Sequence, residues 1–378
     1  MTMAKKLAVL LSCSDHYGHR LFATDAALKE LGYDTVYVTS DFDHNTKKPY
    51  ACTVEDCVQL HAVPYQKNLS AARIHSHWRF ARDAFRYLER LPRQPDVVLA
   101  VVPPNFLAFY GARYRRKHPQ IRLVFDIFDL WPETFPSGKG KKLLSPVFGV
   151  WAWLRDRNLP AADLITTECD LFREKLQLSE NGSKTVYLCA DPMVEETAAR
   201  LPADRLSLCY LGAINNVIDI PAVCGLLRQL SQEKHVTLHI VGKGERQQEL
   251  ITGAKEAGAE VVFHGPVFDP AEKAQILCRC HFGLNIMKET VCIGLSMKSV
   301  DYFRFGLPII NSIPADTRKL VNAYGAGLEY GPDCAKTVLA LTEADCLQMR
   351  ENAKKLFRER FDRAVIHQQY IEVFNTYL

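Results

Sequence analysis

No run of this chain stays apolar for the roughly 18 residues that a membrane-crossing helix requires, so no spanning segment is expected. Its 12 cysteines include no Cys-x-x-Cys pair, and Cys278 and Cys280 stand too close for a zinc-site spacing. Thiols scattered in this way predict a reducing compartment rather than a disulfide framework, and the cytoplasm is the expected location. Charge of one sign is also scarce, since 47 Lys and Arg against 43 Asp and Glu leave a formal net charge of +4. The dense basic face with interleaved aromatics that nucleic-acid binders carry is missing, so no nucleic-acid partner is expected. The small excess that exists gathers before about residue 190, in Arg73, Arg79, Arg82, Arg86 and the basic run at 113–117. That placement predicts a phosphorylated or membrane-bound acidic ligand. The dinucleotide fingerprint is incomplete, because Gly242-Lys243-Gly244 is followed by Gln247 where the third glycine belongs. Asp-x-Asp occurs only as Asp41-Phe42-Asp43, in the first half of the chain.

What is present is a repeated alternation. With 378 residues the chain is too long for one ordinary core and suits two domains. The start, M-T-M-A-K-K-L-A-V-L-L-S, carries charge and a short apolar run. Polar Ser12, Cys13, Ser14 and Asp15 end it too early for a signal peptide, so a first buried strand is expected. Strand patterns at 6–11, 34–39, 96–101, 122–126, 164–167 and 185–188 alternate with helical patterns at 19–31, 71–91 and 105–117. The second half repeats the habit, with strands at 206–211, 236–241, 260–264, 282–287 and 308–311 and amphipathic stretches between them. This predicts the α/β class: two Rossmann-like, doubly wound parallel-sheet domains, expected to face each other across a cleft. The domains are placed at 1–190 and 205–360, with a hinge at 191–204 and a C-terminal helix at 361–378 crossing back to the first domain. Ligands of open α/β sheets bind at the carboxyl ends of the strands, so the loops there are the ones to watch.

One such loop is G-L-S-M-K-S-V-D-Y-F-R-F-G-L-P-I-I-N-S at 294–312. Ser296 suits an N-cap, Met297 to Phe305 a helix, Gly306 the left-handed position after it, and Pro308 forbids continuation. The unpaired N–H groups at such a helix mouth offer a seat for an anion.

L-G-A-I-N-N (211–216), L-H-I-V-G-K-G-E (238–245), V-V-F-H-G-P-V-F-D (261–269) and N-I-M-K (285–288) precede that segment in a distinctive order. Together they resemble the C-terminal domain of retaining GT-B-fold glycosyltransferases of the family 4-like group. F-D-I-F-D-L-W-P-E (125–133) resembles a first-domain segment of its capsule- and exopolysaccharide-building branch. The resemblance implies a nucleotide-diphosphate sugar, a UDP-sugar by preference, as donor. It also implies a glycan or lipid-linked saccharide as acceptor and no cofactor. Asp301 matches the acid that holds the ribose hydroxyls. The acid expected eight positions earlier, facing the transferred sugar, is replaced by Ile293, and Glu289 is the nearest substitute. The Ile293–Gly294–Leu295 backbone would come close to sugar and diphosphate, since Gly294 has no side chain in the way, and Ser296 joins them as a donor candidate. The family's basic pair after the domain's first strand is missing from Gly212 to Asp219, where Asn215 and Asn216 stand. Lys288 and Lys298 are the nearest replacements for phosphate charge. Val267 and Phe268 would pack on the base, while Gly242 and Gly244 would form a tight turn near the donor sugar.

In the first domain, Asp126, Asp129 and Glu133 cluster at a strand end beside Trp131-Pro132. A carboxylate there would hold the acceptor hydroxyl or balance oxocarbenium charge, or Asp129 would instead cap a short helix from Leu130. Asp129 and Glu133 join Lys298 and Lys288 as catalytic candidates. Asp126 and Trp131, with His16 and His19 from the loop after the first strand, are acceptor candidates. No metal site is expected. K-G-K-K-L-L-S-P-V-F-G-V-W-A-W-L-R-D-R (139–157) mixes cations with Leu, Phe and Trp. It suits an anionic membrane surface at the inner face of the cell membrane, or a core helix behind a basic loop. Two other activities fit the fold, a nucleotide-sugar 2-epimerase and a non-catalytic partner of another transferase.

Overall fold

The computed structural model describes residues 5–14, 18–44, 46–52, 54, 56–135, 145–193 and 204–378. The chain divides into two compact units, one of residues 1–188 with 366–378 and one of residues 189–365. Most of the expected hinge therefore falls outside the described residues.

The first unit is built on a seven-stranded parallel sheet. Its strands are β1 (Lys6–Leu11), β2 (Tyr33–Ser40), β5 (Cys57–Leu60), β6 (Val97–Val102), β7 (Arg122–Ile127), β8 (Leu164–Thr167) and β9 (Ser183–Thr185), in the order β5-β2-β1-β6-β7-β8-β9. A small hairpin of β3 (Phe42–Asp43) and β4 (Lys48–Pro49) projects after β2. β6, Val-Val-Leu-Ala-Val-Val, is buried at every position, as a central parallel strand covered on both faces must be. The helices are α1 (Gly18–Glu30), α2 (Ala71–Glu89), α3 (Asn105–Lys117), α4 (Ser145–Asp156) and α5 (Asp170–Lys175). α2 starts at Ser70, whose hydroxyl accepts from the Arg73 amide. It buries one stripe, including His77, Phe80, Ala84, Phe85 and Leu88, at helical spacing.

The second unit carries a six-stranded parallel sheet ordered β12-β11-β10-β13-β14-β15. Its strands are β10 (Arg205–Leu211), β11 (His235–Val241), β12 (Glu260–Gly265), β13 (Phe282–Asn285), β14 (Ile309–Asn311) and β15 (Gly327–Glu329). Between and after them run α6 (Ile220–Leu230), α7 (Gln247–Glu256), α8 (Pro270–Leu277), α9 (Met297–Arg304), α10 (Asp316–Tyr324), α11 (Cys334–Ala340) and α12 (Glu343–Arg360). The last helix, α13 (Arg363–Tyr377), lies mostly in the first unit, where the Tyr370 ring sits 5.6 Å from the Arg20 guanidinium. In each sheet the strand order reverses once, between β1 and β6 and between β10 and β13. Such switch points open a crevice at the strands' carboxyl ends.

Two sequence expectations need correction here. The strand expected at 185–188 is β9 at 183–185, because the Val186 and Tyr187 carbonyls accept from the Arg20 guanidinium instead of continuing the ladder. β15, like the edge strand β5 of the first sheet, was not expected at all. Its Gly327 lies so close to Ile309 that a Cβ would come 2.1 Å from the Ile309 carbonyl oxygen, a contact only glycine permits.

Candidate functional site

The switch point of the second sheet gathers most of the expected donor residues. α9 begins at Ser296, whose hydroxyl accepts from the Ser299 amide, and Gly306 takes a left-handed φ of 62° just after its end. Ser296 also bonds the Ser299 hydroxyl at 2.7 Å. Asn285, fully buried at the end of β13, donates to Ser299 and to Asn311 on β14. This satisfied polar network fixes the helix mouth against two strand ends.

Lys298, in the first turn of α9, reaches back to β10. Its ammonium donates to the Tyr210 hydroxyl at 3.3 Å and lies 4.6 Å from the Tyr210 ring centroid. Tyr210 in turn donates to the Ala213 carbonyl in the loop after β10. Desolvation lowers the Lys298 pKa from 10.5 to about 8. One turn on, Asp301 points a carboxylate to Lys273 of α8 at 3.2 Å and keeps a side chain 28% exposed. Lysine and aspartate thus occupy neighbouring turns of one helix.

The loop from Gly212 to Asp219 meets the end of β13. Ile218 bridges Met287, and the Lys288 amide donates to the Val217 carbonyl. A cavity of about 250 Å³ lies beside this junction, lined by Lys288, Glu289, Ile293, Ser312 and Arg318 among others. Glu289 and Lys288 therefore face one space with Ile293. Arg318, from the first turn of α10, was missed by sequence reasoning, as was Arg246, whose guanidinium donates to the Ile218 carbonyl at 3.2 Å. Both come from the starts of helices, α7 and α10, that are separated in sequence from Gly212 to Asp219, where a basic pair was sought.

Several donor candidates have a structural job that the sequence did not reveal. A Cβ on Gly242 would fall 2.0 Å from the Gly212 carbonyl oxygen, and one on Gly244 2.1 Å from that of Ile214. These glycines let two strand-end loops interlock, with the Gly212 amide bonded to Val241 and the Ile214 amide to Lys243. Leu295 is 2% exposed, so its side chain faces the core; the donor contact expected of it is through the backbone. Gly294 uses its carbonyl to accept from both the amide and hydroxyl of Thr317. Asn215 accepts from the Val217 amide, and Asn216 donates to Glu245. Val267 is buried, whereas its neighbour Phe268 is 86% exposed.

The first unit corrects more. Asp126 is 2% exposed and ion-paired with Arg20 at 2.6 Å, while Thr166 donates to the same carboxylate. It is a core residue and cannot meet an acceptor. Glu133 forms a two-pronged pair with buried Arg155, at 2.7 and 3.0 Å. Asp129 accepts from the Leu130 amide and the Thr134 hydroxyl inside a turn; no helix starts at Leu130, so it does not cap one. Its pKa is raised, chiefly by burial, against the lowering effect of those bonds. Trp131 stacks on His77 at 5.7 Å and lies 4.0 Å from the Arg73 guanidinium. It borders a second, smaller cavity with Arg73, His77, Tyr65 and Ser40. His16 and the side chain of His19 lie outside the described residues.

Residues 22–186 match the glycosyl transferase 4-like domain, and residues 205–342 match the glycosyl transferases group 1 domain. Fold and matched domains together define a glycosyltransferase of the GT-B fold. Among solved structures, HepE of Anabaena in complex with UDP and glucose is 16% identical, with a TM-score of 0.64 over 99% of this chain and 100% of that one. The lipopolysaccharide outer core galactosyltransferase WaaB is 13% identical, with a TM-score of 0.62 over 99% of this chain and 100% of its own. WaaG, a glycosyltransferase involved in lipopolysaccharide biosynthesis, is 11% identical, with a TM-score of 0.61 over 96% and 98%. At these identities the likeness concerns the fold alone. No curated protein matches the chain. No helix among the described residues is long and apolar enough to cross a membrane.

Proposed function

We propose that this glycosyltransferase moves a sugar from a nucleotide-diphosphate sugar, a UDP-sugar by preference, to a glycan or lipid-linked saccharide in the synthesis of cell-surface polysaccharide such as capsule. The reaction retains the anomeric configuration and needs neither metal nor cofactor. The observation that carries this reading is the desolvated Lys298 ammonium. It is fixed at the switch point of the second sheet by Tyr210, with Asp301 one turn further along the same helix. HepE of Anabaena has been crystallised with UDP and with UDP-glucose.

In the proposed reaction the bond from the sugar's anomeric carbon to the β-phosphate oxygen breaks, and the acceptor oxygen bonds that carbon on the same face. The acceptor's proton passes to the departing phosphate oxygen, so no protein base is required. The protein's part is to stabilise developing negative charge, and a preorganised cation in a dry site does this with little reorganisation. Lys298 fills that role, with Lys288 and Arg318 bordering the adjoining cavity. Asp301 accepts from the ribose hydroxyls while Lys273 holds its other face. Phe268, exposed at the end of β12, is free to cover the base.

Asp301→Ala removes two hydrogen bonds to a charged acceptor. UDP affinity is expected to fall about 100-fold or more. Calorimetry reads this directly, and an unchanged affinity would remove Asp301 from the ribose site. Product analysis with a panel of sugar nucleotides shows transfer on this reading, rather than an epimerised donor or binding without turnover.

The enzyme is placed at the cytoplasmic face of the membrane, held peripherally. α4 packs Phe148 and Trp151 against Trp131 and Phe135, yet exposes Val147, Val150 and Trp153, with Arg157 5.0 Å from the Trp153 ring. An exposed aromatic-aliphatic strip edged by cations suits an anionic lipid surface. The lysines at 139–142 lie outside the described residues. In vesicle cosedimentation the chain is expected to pellet with anionic lipid and the double variant V150E/W153E to stay in the supernatant. Equal pelleting of both would place the contact elsewhere.

A further inference from the structure

The second sheet parts unevenly at its switch point. β10 pairs with β11 along its whole length, from Arg205 to Leu211, but with β13 only at Leu208 and Cys209. On the β13 side the ladder stops two residues short of the strand's end, and the Leu211 amide needs another partner.

Tyr302 of α9 supplies it. Its hydroxyl accepts from the Leu211 amide at 2.7 Å. The same hydroxyl shares its proton between the Cys209 carbonyl at 3.1 Å and the Leu284 carbonyl at 3.3 Å. One side-chain oxygen stands in for the missing rungs between the two strands. The ring is fully buried, and burial holds the phenol well above its ordinary pKa, so the proton it donates is in place. A Cβ on Gly283 would fall 2.6 Å from the ring's Cδ1, so glycine is what lets the helix come down on β13 here.

Tyr302 stands four residues after Lys298 and directly after Asp301, so it shares a helix face with the ammonium one turn away. Lys298 bonds the side chain of Tyr210, and Tyr302 bonds the backbone of the next residue. Two neighbouring links therefore join α9 to the last two residues of β10. A ring buried for packing alone would leave no backbone group dependent on its oxygen; here three are.

We propose that Tyr302 is a positioning residue of the donor site. Its hydroxyl takes over where the β10–β13 ladder ends and fixes α9 where Lys298 and Asp301 meet the diphosphate and the ribose. This role rests on the donor reading given above and adds the residue that sets its geometry. Without the hydroxyl, water enters between β10 and β13 to serve the three backbone groups, and α9 shifts outward with both donor residues.

The test uses the full chain. Tyr302→Phe keeps the ring over Gly283 and removes only the oxygen. Its UDP affinity, read by calorimetry, is expected to fall about tenfold. Val338→Ala is the control for lost stability, since it trims the core of the same domain at the amino ends of β10 and β13. It is expected to melt lower and keep the native UDP affinity. Proton uptake on UDP binding near pH 8.5 should shrink in Tyr302→Phe, where water reaches Lys298, and stay native in Val338→Ala. If Tyr302→Phe does not fold, hydrogen exchange of the Leu211 amide in the native chain decides, and saturating UDP is expected to slow it at least tenfold. Native UDP affinity and proton uptake in Tyr302→Phe, an equal loss of affinity in Val338→Ala, or Leu211 exchange unmoved by UDP overturns the positioning role and leaves the donor reading standing. A native chain that binds no UDP overturns the donor reading, and this role with it.

Discussion

Asp126→Leu is expected to melt the first domain roughly 10 °C or more below the native chain. Asp126 and Arg20 are 3% and 2% exposed in their side chains and 2.6 Å apart. Removing one partner of a buried pair leaves an uncompensated charge, at a cost of about 3–5 kcal/mol. That is a large share of the roughly 5–15 kcal/mol that holds a typical domain together. Arg20 also ties down Val186 and Tyr187 after β9 and lies against Tyr370 of α13, so its release loosens three elements at once. The double variant R20M/D126L removes both charges and is expected to recover most of the loss, since apolar replacement of a buried pair is often close to neutral. Differential scanning calorimetry distinguishes the cases. A variant D126L that melts with the native chain and loses only acceptor affinity would return Asp126 to the binding site that the sequence first suggested.

The fate of Asp126 shows where sequence reasoning stops. The helix at 297–304 was legible to its caps because every signal is local: Ser296 before it, Gly306 and Pro308 after it. The alternation of β and α elements was legible for the same reason, being a matter of period along a short window. Three acids near 126–133 looked like one functional cluster because they are close in sequence. Arg20 is 106 positions from Asp126, and Arg155 is 22 positions from Glu133, so nothing local revealed that two of the three were already paired. Basic residues near the loop after β10 were hidden for the same reason. Arg246 and Arg318 come to the loops around Gly212 and Ile293 through tertiary packing, and no spacing rule connects them. In the sequence Gly242 and Gly244 read as a tight turn near the donor sugar. The requirement for glycine there is set by the carbonyls of Gly212 and Ile214, some thirty residues earlier.

Lys298→Met separates what this lysine does for stability from what it is proposed to do for transfer. Its ammonium has a folded pKa of about 8 against an ordinary 10.5, and the cause is desolvation. Between those values the unfolded chain binds the proton and the folded chain does not, so this group makes stability rise with pH across that window. Below about pH 8 the folded protein carries the full cost of the buried charge, at most about 3–4 kcal/mol. The methionine variant removes that cost. It is expected to melt no lower than the native chain at pH 7, and its advantage should shrink as pH climbs from 8 towards 10.5. Transfer should move the opposite way, with kcat/KM falling about 10²- to 10³-fold, the usual effect of losing one preorganised charge stabiliser. A nucleoside diphosphate set beside Lys298 favours the charged form, so binding near pH 8.5 should take up protons, and calorimetry in two buffers of different ionisation enthalpy measures that uptake. The methionine variant should show less uptake by this group. A variant that melts high and still transfers at the native rate would leave Lys298 as a packed residue of α9 and move the phosphate charge to Lys288, Arg246 and Arg318.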